Sequence, residues 1–464
     1  MVQTDLKRID KMKRPSVSFM GLGHVGLTIA ACMASRGFKV LGFDVDPEKV
    51  KMVNKAKCPI YEPKLEELIK NSVKRGLLRA TTDFKEAILD SDVTFITVGT
   101  PSLKTGEIDL RYVKEASKII GEALSEKDDW HLIVVKSTVI PGTTEGLVKK
   151  IVEERSGKRC PEDFGLCMNP EFLREGSAVR DTLNPDRIII GEIDKRSGDC
   201  LEHLYRIFYG DAIPPILRTS PINAELIKYA NNAFLAMKVS FINMIANLCQ
   251  ELPGADIEDV AKGIGLDKRI GPLFLKAGVG WGGSCWPKDL AALRTLAKKL
   301  GVEMPLIDAT IEINTKQPLK LIELAKQLLG DLKGKRISIL GLSFKPETDD
   351  MRGAVSVKII EVLLNEGASV IVYDPRAMAT AKCILKDKVE YASSVKECLS
   401  GSDCALLVTE WEEFKELKPD DFKRLMKNPV VIDGRRIYDA KAFFTKIKFA
   451  AIGLGPQKAN NEER

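Results

Sequence analysis

Short apolar runs alternate with longer segments of helical period at both ends of this chain. Val17-Ser18-Phe19-Met20 predicts a strand, and Gly21-Leu22-Gly23-His24-Val25-Gly26 a glycine loop. Residues 27–35 predict an apolar helix that stops at Gly37. Residues 39–43 predict a second strand ending at Asp44, with later strands at 93–98, 131–135 and 187–190. Strands separated by helices imply a parallel sheet covered on both faces.

The middle of the chain has a different pattern. Residues 222–252 contain no proline or glycine, and Leu226, Tyr229, Ala230, Ala233, Phe234, Met237 and Phe241 recur at helical spacing. This predicts one helix about 45 Å long. Glu225, Lys228, Lys238 and Glu251 argue against a membrane span. A helix apolar on several faces is expected between domains or subunits.

The last third alternates again. A strand at 336–340, the loop Gly341-Leu342-Ser343-Phe344-Lys345-Pro346, a helix at about 355–365 and a strand at 370–373 ending in Asp374 echo the first segment as a degenerate repeat. Without three glycines, this copy is expected to bind something other than a dinucleotide. Further strands are predicted at 404–408 and 430–433, and a polar, disordered tail at 455–464. The expected fold is α/β: two Rossmann-like nucleotide-binding domains joined by a long central helix. The domains are placed at 1–218, 219–316 and 317–464.

Composition narrows the class. The chain has 464 residues, too many for one core, and a net charge of +6 on 71 basic and 65 acidic residues. That balance does not indicate nucleic acid, and it suits a small anionic ligand. Ten cysteines are scattered without Cys-x-x-Cys pairs, and only His24, His131 and His203 are histidines. No metal site and no disulfide framework is expected, and the expected compartment is the reducing cytoplasm. Neither a secretory signal nor a membrane partner is expected.

Three groups carry candidate chemistry. Gly21, Gly23 and Gly26 follow a strand, open a helix and meet Asp44 after the second strand, the pattern of a dinucleotide site. Asp44 is expected on the adenosine ribose, favouring NAD over NADP by repelling a 2′-phosphate; His24 is expected to be a bystander facing solvent or phosphate. Cys285 lies in Gly280-Trp281-Gly282-Gly283-Ser284-Cys285-Trp286-Pro287-Lys288-Asp289. The glycines are expected to let backbone approach a ligand, and Pro287 to stand first in a helix. That places Cys285 where a helix dipole favours thiolate, one turn from Asp289. It reads either as an activated nucleophile or as a buried structural cysteine on a tight turn. Lys228 and Asn232, four apart on the long helix, share a face and read either as oxyanion donors or as a solvated surface. Glu171 and Glu175, also four apart, read either as functional carboxylates or as groups facing water.

Asp44 with the glycine loop, Thr100-Pro101, Lys136-Ser137-Thr138, Asn169-Pro170-Glu171-Phe172-Leu173-Arg174-Glu175-Gly176, Asn184-Pro185-Asp186-Arg187, Lys228-Tyr229-Ala230-Asn231-Asn232, Gly282-Gly283-Ser284-Cys285 and Asp433-Gly434-Arg435 occur in one order. In that order they resemble the UDP-glucose 6-dehydrogenase family, over about residues 17–452. The resemblance implies oxidation of a sugar C6 alcohol to a carboxylate with two NAD⁺. It implies Cys285 as the carrier of a thiohemiacetal and thioester, Lys228 and Asn232 as oxyanion donors, and Asp289 and Thr138 as proton handlers with water. Glu171 is implied in thioester hydrolysis. Cofactor contacts are implied at Gly21, Gly23, Val25, Gly26, Asp44, Thr100, Thr138, Glu175 and Arg352. Contacts to a UDP-sugar are implied at Glu171, Phe172, Leu173, Lys228, Asn232, Arg269, Phe274, Lys276, Gly282, Lys345 and Arg435. Arg269 is expected to reach in from a partner subunit of a homodimer or larger homo-oligomer. Trp281 and Trp286 depart from the phenylalanines common in the family. The alternatives are the same chemistry on GDP-mannose or a UDP-N-acetylhexosamine, a two-electron β-hydroxyacid dehydrogenase, and a silent nucleotide-sugar-binding protein.

Overall fold

A computed structural model describes residues 14–456. The basic stretch before Arg14 and most of the polar tail lie outside the described residues. The chain forms two compact units, one up to Ala230 and one from Asn231 onward.

The first unit is built on an eight-stranded sheet. In chain order its strands are β1 (Val17–Met20), β2 (Val40–Phe43), β3 (Leu78–Thr81), β4 (Val93–Ile96), β5 (His131–Val135), β6 (Phe164–Met168), β7 (Ile188–Glu192) and β8 (Ile216–Thr219). Their spatial order is β3-β2-β1-β4-β5-β6-β7-β8. β1, β2 and β4 to β6 are buried throughout, as mostly apolar strands covered by helices on both faces must be, and the polar exceptions Ser18, Thr94 and His131 hydrogen-bond in a row across β1, β4 and β5. The order reverses between β1 and β4, which is where ligands bind in open α/β sheets. The expectation of an all-parallel sheet needs correction, because β7 pairs antiparallel with β6. The link between them contains only the six-residue helix Ala178–Leu183, not a full crossover.

The second unit carries β9 (Arg336–Leu340), β10 (Ser369–Tyr373), β11 (Glu390–Tyr391), β12 (Cys404–Leu407), β13 (Val430–Asp433) and β14 (Lys448–Ala451). They form one parallel sheet, ordered β11-β10-β9-β12-β13-β14. This is the order of the first six strands of the other sheet, so the repeat read from sequence is topological. It extends to hydrogen bonding. Gly21 and Gly341 have φ of +104° and +96°. Asp44 accepts from Leu22 N at 2.8 Å, as Asp374 accepts from Leu342 N at 2.7 Å. The copies then diverge. Asp374 also accepts from Ser343 N, Arg376 N, Ala377 N and the Trp411 indole, so its carboxylate is consumed by the fold.

The long helix runs Pro221–Glu251, and the division between units falls within it. By length and apolarity it is the one helix among the described residues that would cross a membrane. It buries Glu225, Lys228, Asn232, Ser240 and Asn243, however, and exposes apolar groups instead. Leu226 (45%), Phe234 (58%), Phe241 (45%) and Leu248 (56%) are open, so within one chain only one face of the helix is covered.

Candidate active site

The glycine loop divides its work among three residues. Gly21 takes the positive φ of the turn. A Cβ on Gly26 would lie 2.0 Å from Gly21 O, so this glycine exists for packing of the helix His24–Ser35 on the strand. A Cβ on Gly23 would meet nothing within 4 Å, and Gly23 caps that helix with no side-chain hydrogen bond. The helix N-terminus therefore opens onto free space, a place that suits a phosphate. Val25 packs on the core behind it.

Asp44 stands at the end of β2, almost buried. Its Oδ2 accepts from Leu22 N and, at 3.0 Å, from Lys49 Nζ, while Oδ1 accepts from Asp46 N at 3.1 Å. The pairing with Lys49 is absent from the sequence reading, and it weakens the repulsion argument against a 2′-phosphate. What remains is the carboxylate as a hydrogen-bond acceptor. The reading of His24 as a bystander is also corrected. Its Nε2 lies 2.8 Å from Oε2 of Glu62, a buried carboxylate that also accepts from Gly176 N and Ala178 N, each at 2.8 Å. Glu62 thus ties the glycine loop to the segment that carries Glu171 and Glu175. Thr100 and Thr138 are buried beyond β4 and β5, and Glu175 is half-buried.

Glu171 and Lys228 form a buried ion pair. Lys228 Nζ donates to Glu171 Oε1 at 2.9 Å and to the Glu171 carbonyl at 2.6 Å, and Leu173 N donates to Oε2 at 2.6 Å. Burial pushes the Glu171 carboxyl up. The charge and hydrogen bond of Lys228, the Leu173 N–H and the charge of Lys136 more than offset this, so it is held below its ordinary value. Neither Glu171 nor Lys228 faces water, so the surface reading fails for these two. Phe172 is half-buried under the Arg187 guanidinium, 3.9 Å from its ring centroid, and lies 5.3 Å from Lys228 Nζ.

In the second unit Cys285 is exposed and caps the helix Trp286–Lys299, which excludes the buried structural reading. Pro287 stands second in that helix, behind Trp286. Asp289 donates its N–H to Cys285 O at 2.9 Å, closing the first turn. Its carboxylate is buried and accepts from Asn232 Nδ2 at 2.7 Å and Lys288 Nζ at 2.5 Å. The two glycines have a packing role within this unit. A Cβ on Gly282 would lie 2.1 Å from Gly353 O, and one on Gly283 2.8 Å from the Phe344 ring. They let the cysteine loop lie against the 344–353 segment. Asn314 holds both backbone groups of Trp281, at 2.8 and 2.9 Å, and the indole donates to Ser240 at 3.0 Å. Trp286 packs between Trp281 and Phe274, with ring centroids 5.8 and 6.0 Å away.

The remaining residues expected on substrate or cofactor are dispersed within this unit. Arg435 donates to Val408 O at 2.6 Å and Gly280 O at 3.1 Å, fastening the cysteine segment to the sheet. Arg269 is exposed and pairs with Asp267, and Arg352 is exposed and pairs with Asp350. Lys276 is exposed, and Lys345 lies 5.8 Å from the Phe344 ring centroid.

Residues 15–209 match the NAD binding domain of the UDP-glucose/GDP-mannose dehydrogenase family, 222–316 its central domain and 338–440 its UDP binding domain. UDP-glucose 6-dehydrogenase AglM of Haloferax volcanii is 45% identical over 422 residues, covering 91% of this chain and 96% of that protein. The chain belongs to the UDP-glucose/GDP-mannose dehydrogenase family. UDP-glucose 6-dehydrogenase TuaD of Bacillus subtilis is likewise 45% identical, over 91% of this chain and 89% of its own length. A UDP-glucose dehydrogenase structure from Pyrobaculum islandicum superposes with a TM-score of 0.87 at 40% identity, covering 95% of this chain and 98% of that one.

The family's NAD binding domain is therefore the unit with the open helix N-terminus and Asp44, and these features fit the cofactor. Its UDP binding domain is the repeat whose acidic residue is consumed by the fold. This dehydrogenase also uses residues the sequence reading missed: Lys49, Glu62, Asn314 and Ser240. Each acts through a partner distant in sequence or through backbone groups, and only the spacing of Lys49 from Asp44 lay within local reach.

Proposed function

We propose that this chain oxidises UDP-glucose at C6 to UDP-glucuronate: R–CH₂OH + 2 NAD⁺ + H₂O → R–COO⁻ + 2 NADH + 3 H⁺. The observation that carries the reading is an exposed cysteine at a helix N-cap, one turn from a buried carboxylate, in a chain with an NAD binding domain. A single oxidation of an alcohol needs no nucleophile. A second does, because an aldehyde has no hydride to give until something adds to it.

When bound, NAD⁺ accepts the hydride removed from C6 in each oxidation. Cys285 Sγ adds to the aldehyde carbon to give a thiohemiacetal, whose oxidation leaves a thioester. Lys228 and Asn232, one helical turn apart, donate hydrogen bonds to the oxygen that becomes negative. Lys228 starts from its pair with Glu171, so turning toward that oxygen restores basicity to the Glu171 carboxylate. Glu171 then takes a proton from the water that cleaves the thioester. Asp289 and Thr138, with water, carry the protons of the first oxidation. Gly21, Gly23, Gly26, Asp44, Thr100 and Glu175 hold the cofactor, with Arg352. Phe172, Leu173, Phe274, Lys276, Gly282, Lys345 and Arg435 hold the nucleotide sugar.

The same reading makes the enzyme at least a homodimer in the cytoplasm. The open apolar face of the long helix supports a second copy there, and exposed Arg269 suits a role at a neighbouring site. Ten cysteines, none of them in a disulfide, suit a reducing compartment. The test is stoichiometry with each candidate nucleotide sugar. UDP-glucose should give two NADH per sugar and no free aldehyde, with much higher kcat/KM than GDP-mannose or a UDP-N-acetylhexosamine. One NADH with aldehyde released, or preference for another sugar, would overturn it.

A further inference from the structure

Lys136 follows β5 and is buried, yet its ammonium donates to no carboxylate among the described residues. Its Nζ donates to Asn169 Oδ1 at 2.7 Å and lies 3.3 Å from the Tyr205 hydroxyl, both neutral acceptors. The charged groups that act on it are Glu171, from the segment after β6, and Lys228, from the long helix. The remaining titratable neighbour, the Tyr205 phenol, is pushed far above its ordinary value by burial and stays neutral. Lys228 and Glu171 pair directly, whereas Lys136 rests on two neutral acceptors.

We propose that Lys136, buried on neutral acceptors beside the Glu171–Lys228 pair, is a positioning residue that sets the base strength of Glu171 through the proton it carries or gives up. As an ammonium it stabilises the Glu171 carboxylate and makes it a poorer base. As a neutral amine it withdraws that field and leaves Glu171 more able to take a proton from water. Burial first, and the Lys228 charge in addition, push the Lys136 amine down to about 7, with Glu171 opposing them. The inference rests on the part given to Glu171 in thioester hydrolysis, but its titration does not.

The test compares the protein with Lys136→Met, whose side chain is neutral at every pH and similar in reach. Tyr205 OH already donates to Asn169 Oδ1, so the substitution leaves that acceptor satisfied. The first readout is stability to urea. A lysine whose folded value lies below its unfolded value of about 10.4 leaves the unfolded chain holding the extra proton between the two. The unaltered protein should therefore gain on Lys136→Met steadily from pH 7 to 10 and run parallel to it below 7. The second readout is single-turnover release of uronate from the acyl-enzyme. It should rise several-fold from pH 6 to 8 in the unaltered protein and stay flat in Lys136→Met. Stability curves parallel from pH 7 to 10 would overturn the titration whatever reaction the enzyme performs. A stability gap with the kinetic rise retained in Lys136→Met would overturn the link to Glu171. If Met fails to pack, Lys136→Gln takes its place, and a chain that folds with neither neutral residue overturns the proposal too.

Discussion

Lys228 Nζ stands 2.9 Å from Glu171 Oε1, with both side chains buried. Two groups needed at different moments of the proposed reaction thus neutralise each other at rest. Lys228→Met strands a buried carboxylate, which costs about 3–5 kcal/mol and should lower turnover about 10²- to 10³-fold. The pH dependence should invert as well. Held below its ordinary value, Glu171 now contributes stability that is complete above the unfolded carboxyl value of about 4.3 and fades as pH falls through the folded one. Without Lys228, burial dominates and raises the carboxyl, so acid should favour the variant relative to the parent. Urea midpoints from pH 3 to 7 check this, and parallel curves would contradict it.

Asp44 is both brace and ligand. Replacing it by serine removes the acceptor of the Leu22 N–H and leaves Lys49 without its carboxylate. Losing a hydrogen bond from a charged acceptor costs about 1.5–3 kcal/mol, so KM for NAD⁺ should rise about tenfold or more. KM for NADP⁺ should rise less or fall, because the released Lys49 suits a 2′-phosphate. Initial rates with both cofactors decide it, and an unchanged ratio would remove Asp44 from the ribose site.

Phe234 and Leu248 lie on the open face of the long helix, each more than half exposed. Aspartate at both positions should convert an assembled protein to monomers in sedimentation at micromolar concentration, with little loss of fold, since neither side chain is buried within its own chain. A parent that already sediments as a monomer, or a double variant of unchanged mass, would place the interface elsewhere.

Much of this was legible in sequence, for identifiable reasons. Buried parallel strands are short, mostly apolar runs, so β1, β9 and β13 were placed without tertiary information. The glycine loop, the long helix and the helix after Cys285 carry local stereochemical rules. What was not legible depends on distant partners. Glu62 reaches Gly176 and Ala178 across more than 100 residues of chain, and nothing around it in sequence marks it as a latch. The antiparallel pairing of β7 was not legible either, because the link from β6 spends its residues on the Glu171–Gly176 segment and only a six-residue helix, and no local pattern marks that. The close approach of Gly282 and Gly283 to Gly353 and Phe344 was not legible, because a glycine records only that something comes close and not what.

The central claim is that Cys285 carries the sugar between its two oxidations. The most direct measurement is UDP-glucuronate formed by Cys285→Ala, alongside NAD⁺ binding by the same variant to show that the site is intact. No thiohemiacetal can form on alanine, so the account predicts unimpaired NAD⁺ binding and no uronate above a trace. Uronate at anything near the parent rate would contradict it and leave Cys285 a loop residue without a part in the chemistry.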